Sequence, residues 1–169
     1  MSMPTIRAAY VSWPTYNRRL RDAVGAMTEV QLAIRPAPDR WPLWATIGHL
    51  ACQRVFWLCD FAGEAGAETT PFPDAGYVCP GDEDLEHVLG PEALVQALDT
   101  TFGIVDGCLD RWTVDMLAEE IHRKWDNGEE WVHTRGWALE RVFTHDVYHC
   151  AELNEALTNA GLPPVNLWG

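Results

Sequence analysis

The sequence predicts a mainly all-α fold, four helices in a bundle with a small β-hairpin ahead of the last one. Three observations carry this reading. Apolar residues recur at helical spacing along one face of three long windows and go nearly all round a fourth. Prolines fall at the ends of those windows, where a helix tolerates or requires them. The Asn127-Gly128 dipeptide lies between two short alternating runs, the strongest local hairpin signal. With 169 residues and 47% apolar content, one domain spanning 1–169 with a single core is expected.

The first helix is read from Trp13 to Met27, with Tyr16, Leu20, Ala23, Val24 and Met27 on one stripe and Arg18, Arg19, Arg21 and Asp22 off it. Thr28 to Gln31 has capping-box form and starts a short separate turn. Pro36 and Pro38 end that turn in an extended link. The second helix opens at Trp41-Pro42, with proline at the first helical position, and runs to about Phe61. It is apolar nearly all round, so it is expected to be buried on most sides, with His49 in its middle. Gly63 to Gly90 is rich in Gly, Pro and acidic residues, and a loop of this length is more often a functional lid than a plain connector.

Pro91 opens the third helix, whose stripe is Leu94, Leu98, Phe102, Val105, Leu109 and Trp112. Thr113 caps a short turn, and a two-stranded ribbon follows over roughly 119–133. Treating Asn127-Gly128 as a two-residue turn places Asp126 opposite Glu129, Lys124 opposite Trp131 and His122 opposite His133. The fourth helix spans about Arg135 to Ala160 and stops at Gly161, with Pro163 and Pro164 preventing continuation. Ala138, Val142, His145, His149, Leu153 and Ala156 share its inward face, while Glu140, Thr144 and Glu155 point elsewhere.

A formal charge of −13 opposes binding to nucleic acid or to an anionic membrane. No run of about 18 apolar residues occurs, and Met1-Ser2-Met3-Pro4 lacks the basic start of a secretory leader. A cytoplasmic protein is expected. Five cysteines without CxxC spacing argue against a disulfide framework or a thiolate zinc knuckle, and most are expected to be small core residues.

His145 and His149 stand four apart, so on a helix their imidazoles can converge on one ion. His49 from the second helix would complete three nitrogen ligands with a position left open for water or substrate, the pattern of a catalytic rather than a structural zinc site. Nitrogen ligation suits Zn, Ni, Cu or Fe and does not suit Mg or Ca. Cys52, three residues after His49, is either an auxiliary ligand or thiol, or core. Glu152 is a fourth ligand, an orienter of His149, a base, or a solvated carboxylate. Cys150 lies about 100° round the helix from His149, and Arg141 and Asp146 are read as surface or salt-bridging groups. His122 and His133 form a rival pair on an exposed ribbon. No Ser-His-Asp or Cys-His nucleophile is evident.

The run Leu32-Ala33-Ile34-Arg35-Pro36-Ala37-Pro38-Asp39-Arg40-Trp41, leading into Ile47-Gly48-His49-Leu50 and followed far downstream by His145-Asp146-Val147-Tyr148-His149, resembles the DinB-like (DinB/YfiT) superfamily. The likeness covers nearly the whole chain. It implies a four-helix bundle with a long crossover, often a homodimer, and a divalent transition metal, zinc or nickel, on His49, His145 and His149. It also implies metal-dependent thiol chemistry, as in bacillithiol transferases and a mycothiol-dependent maleylpyruvate isomerase, with a small-molecule thiol or electrophile as partner. Relatives often carry an acidic residue soon after the first histidine, where this chain has Ala51-Cys52-Gln53-Arg54. A metal-dependent thiol transferase or hydrolase is the expected function, with a non-enzymatic dimeric metal- or ligand-binding stress protein as the alternative.

Overall fold

The computed structural model describes residues 4–73, 79–80 and 85–167. Its long helices are α1 (Trp13–Gly25), α3 (Leu43–Val55), α4 (Pro91–Arg111) and α6 (Arg135–Asn159), with short helices α2 (Glu29–Leu32) and α5 (Val114–Leu117) between them. They pack as a bundle in which α4 contacts both α1 and α3, and α3 contacts α6. None of the described helices is long and apolar enough to cross a membrane. The link between α3 and α4 is the long crossover. Its residues 74–78 and 81–84, within the stretch read as a lid, lie outside the described residues.

Every residue from Leu43 to Cys52 is buried, as the all-round apolar pattern of the second helix requires. The continuous helix expected as far as Phe61 changes character after Val55. Phe56–Phe61 forms a π-helical turn, closed by the amide of Ala62 donating to the carbonyl of Trp57 at 3.1 Å. The extra residue per turn lets both Phe56 and Trp57 meet the hairpin aromatics, with Phe56 stacked on Trp125 at 5.5 Å and Trp57 on Trp131 at 6.1 Å. A short 3₁₀ segment, Ile6–Tyr10, precedes α1 and had no apolar stripe long enough to announce it. Arg7 ties it to Asp106 and Asp110 of α4.

Strands β1 (Glu120–Lys124) and β2 (Glu130–Thr134) form the hairpin where expected, but in a different register. Ile121 pairs with His133 and His122 with Val132. The loop has three residues rather than two: the amide of Gly128 donates to the carbonyl of Trp125 at 2.9 Å, and the amide of Trp125 donates to that of Glu129 at 2.8 Å. Gly128, at φ +88°, takes the left-handed position that follows a type I turn in three-residue hairpin loops. One residue of slip moves a side chain to the other face, so His122 and His133 are separated and the rival pair does not form.

The cysteines, read as forming no disulfide framework and as mostly small core residues, nevertheless include one bonded pair. Cys52 of α3 is bonded to Cys79 of the crossover, with Cα atoms 5.7 Å apart. Neither spacing nor motif could show that two cysteines 27 positions apart are brought together by the return of the loop. The bond removes Cys52 from consideration as a free thiol or metal ligand. Closing a loop of that length predicts that Cys52→Ser/Cys79→Ser lowers unfolding free energy by about 3.5 kcal/mol on the chain-entropy relation. Urea unfolding of the oxidised wild type and the double variant measures this.

Inside the bundle, Arg54 is 1% exposed and reaches three other long helices. Its Nε and Nη2 donate to the two carboxylate oxygens of Asp146 at 3.1 and 2.7 Å, and its Nη1 donates to Asn17 Oδ1 at 2.8 Å and to the Leu98 carbonyl at 3.3 Å. Trp13 Nε1 donates to Asp146 Oδ2 at 3.0 Å. Asp146 is thus the salt-bridging residue that the sequence offered as one option, and it is buried. This network fixes the rotation of α6 about its axis from a residue lying between His145 and His149.

Candidate metal centre

His49 comes from the middle of α3, and His145 and His149 from adjacent turns of α6. His49 and His149 are each 6% exposed; His145 is half-buried. The Nε2 atoms of His49 and His145 are 3.3 Å apart, and those of His145 and His149 3.1 Å apart. Two nitrogens each bound at about 2.0–2.1 Å to one tetrahedral or octahedral ion lie about 2.9–3.4 Å apart, so the spacing fits a shared ion.

Hydrogen bonding alone fits worse. In a neutral ring Nε2 is either a donor or an acceptor, so His145 Nε2 cannot satisfy both neighbours through its single in-plane site. His149 Nδ1 lies 2.8 Å from Glu152 Oε2. A carboxylate accepts, so Nδ1 donates and the lone pair of His149 is left on Nε2, facing the cluster. Of the roles weighed for Glu152, this contact is the one an orienter of His149 would make. Glu152→Gln is expected to weaken metal binding about 10- to 100-fold, measurable by competition with a chromophoric chelator.

Burial, reinforced by the neighbouring imidazoles and by Arg141 and Arg54, pushes His145 down to about 3. The ring therefore stays neutral at neutral pH, the form a ligand needs. An unfolded histidine takes up a proton below about pH 6.5, while folded His145 does so only near pH 3. This contribution to stability is complete above pH 6.5 and is lost as pH falls through that window. Chelator-treated wild type should lose stability on acidification more steeply than chelator-treated His145→Gln, as followed by urea titrations at stepped pH.

Trp41, placed by the Pro36–Pro42 link, lies over the cluster with its ring 4.8 Å from that of His49 and 6.3 Å from that of His149. The sequence marked Trp41 as a helix opener and as the end of the run that carries the family resemblance. On its outer side is a cleft of about 570 Å³ whose walls include Trp41, Tyr148, His149 and Glu152. The thiols of Cys59, Cys108 and Cys150 are raised by burial to about 11, 12 and 12, so none is a thiolate at neutral pH. His122 is exposed, within 3.4 Å of Glu130. His133 stacks on Trp137 at 3.7 Å. Neither joins the cluster, which among the described residues consists of His49, His145 and His149.

The sequence model of the DinB superfamily matches residues 15–153, a span that contains all three histidines. Among solved structures, the fold is similar to that of a DinB-like protein from Bacillus cereus ATCC 10987, at 16% identity and a TM-score of 0.66, over 98% of this chain and 99% of that one. No curated protein matches.

Proposed function

This chain belongs to the DinB superfamily, and from that premise we propose a metal-dependent enzyme acting on a small-molecule thiol and an electrophile. His49, His145 and His149 hold one divalent transition ion, zinc or nickel. When bound, such an ion lowers the pKa of a thiol or water and so provides a nucleophile at neutral pH. The observation that carries this reading is the convergence of three imidazoles, with His145 Nε2 3.3 Å from that of His49 and 3.1 Å from that of His149, and one ring nitrogen of each within 4.8 Å of the others.

The chain's own groups have distinct tasks. Glu152 holds the Nδ1 proton of His149. Trp41 covers two imidazoles. The free cysteine thiols stay protonated, which favours a thiol brought in from outside; water in its place would make the reaction a hydrolysis.

The test is elemental analysis of tag-free protein together with turnover of thiol–electrophile pairs. About one equivalent of zinc or nickel, with turnover lost on chelation and restored by that metal, is expected. Below half an equivalent of any transition metal, the reading fails. A homodimer belongs to the same proposal, and sedimentation at the mass of a single 19.0 kDa chain would remove that part. Cytoplasmic placement stands against the Cys52–Cys79 bond, since disulfides persist in oxidising compartments. Thiol trapping in intact cells decides between them.

A further inference from the structure

The two helices that supply the imidazoles are tied together by a buried ion pair. Arg54 stands five residues after His49 on α3, and Asp146 stands next to His145 and three residues before His149 on α6. Arg54 is 1% and Asp146 7% exposed, and two nitrogens of one meet two oxygens of the other at 3.1 and 2.7 Å. As a source of stability such a pair has little advantage, since apolar residues of similar volume often serve as well or better. What it supplies is direction. Apolar contact between α3 and α6 is non-directional, whereas a two-pronged guanidinium–carboxylate pair weakens when either partner turns or slides.

The remaining bonds of the network fix the pair to the other long helices. Trp13 and Asn17 of α1 and the Leu98 carbonyl of α4 hold the two charged groups, so Asp146 is anchored to the frame of the bundle. Small rotations of α6 matter at the histidines. An imidazole nitrogen about 5–6 Å from the helix axis moves about 1 Å when the helix turns by about 10°, several times the ~0.2 Å that metal–ligand distances tolerate.

We propose that Arg54 and Asp146 are positioning residues of the metal centre: their pairing sets the rotation and height of α6 against α3 that bring His145 and His149 to the ion held with His49. The proposal rests on the metal-centre reading and assigns part of the affinity to two residues outside the three-histidine cluster.

Titration with cobalt(II) tests it, because the visible bands of the bound ion report the arrangement of its ligands. Arg54→Lys keeps the charge and loses the fork; Asp146→Asn keeps the shape and loses the charge. Each should bind cobalt at least tenfold more weakly than wild type, the cost of losing groups that orient ligands, with an altered band pattern. The control Leu109→Ala removes buried apolar volume from α4, about three turns beyond Leu98. It should lose stability in urea yet bind cobalt within threefold of wild type, with the same bands. All four proteins are compared at a temperature at which circular dichroism shows them folded, so that a fall in affinity is not a fall in folded fraction. If Arg54→Lys does not fold, Asp146→Asn carries the comparison. Wild-type affinity and bands in the pair variants, or an equal loss in Leu109→Ala, overturns the proposal. The imidazole nitrogen resonances of the metal-free proteins give a second readout: those of His145 and His149 should shift in the pair variants and stay in place in Leu109→Ala. Wild type that binds no cobalt rejects the metal centre, and these resonances then decide whether the pair positions the histidines. Wild type that binds cobalt, with pair variants that match it, rejects the positioning role alone.

Discussion

Arg54→Met should destabilise the protein by about 3–5 kcal/mol, the range for breaking one side of a buried ion pair. The arginine makes four hydrogen bonds while only 1% exposed. Its loss leaves the Asp146 carboxylate in the interior with the Trp13 indole as its remaining hydrogen-bond donor among the described residues. Methionine fills much of the volume, so the effect comes from the stranded charge rather than from a cavity. Pairing it with Asp146→Asn should recover part of the loss, because the uncompensated charge is then gone. Guanidinium unfolding of the four proteins in the cycle measures the coupling. Additive single effects would mean that the two side chains do not act as a pair.

His49→Ala should reduce bound metal from about one equivalent to below about a tenth after dialysis. It removes the nitrogen supplied by α3 and leaves two imidazoles on α6, an arrangement without the third protein ligand that catalytic zinc sites have. Metal-loaded wild type should also lose the stabilisation that a ligand specific to the native state confers. Melting temperature with and without added zinc should therefore differ for the wild type and coincide for the variant. Retained stoichiometric metal in His49→Ala would show that the ion is held elsewhere.

Much of the bundle was legible because burial imposes a period on sequence. The apolar steps of α4 and α6, the capping box at Thr28 with both reciprocal bonds formed, and the stop at Gly161, at φ +72°, all follow local rules that need no partner. The three histidines were legible for a related reason. Two share a helix face, and the third stands in a helix that is buried nearly all round.

What escaped depends on three-dimensional closure. Cys52 and Cys79 meet only because the crossover returns to α3, with Pro80 packed against Gly48 closely enough that an added Cβ would lie 3.1 Å away. The hairpin loop was misjudged by one residue because Asn-Gly suits two turn geometries. In this one the Asn127 side chain accepts from the Glu129 amide at 2.9 Å, bridging the left-handed glycine. Arg54 carried no signal of its own in the sequence, and its role appears only when Asp146, Asn17 and Leu98 are brought around it. The cleft is built from an extended link and the far end of α6, which no periodicity connects.

The position of Asp146 between two of the histidines bears on which changes of length the chain can survive. Adding or deleting one residue in α6 between His145 and His149 would rotate everything beyond it by about 100°. Such a change parts His145 from His149, or Asp146 from one of them, and also turns the apolar stripe away from α3. The crossover between α3 and α4 carries no such helical phase, so added length there costs little, whereas one residue more or less in the hairpin loop would shift the strand register. Divergence among related chains is therefore expected as insertions in the crossover, with the spacing inside the last helix held fixed.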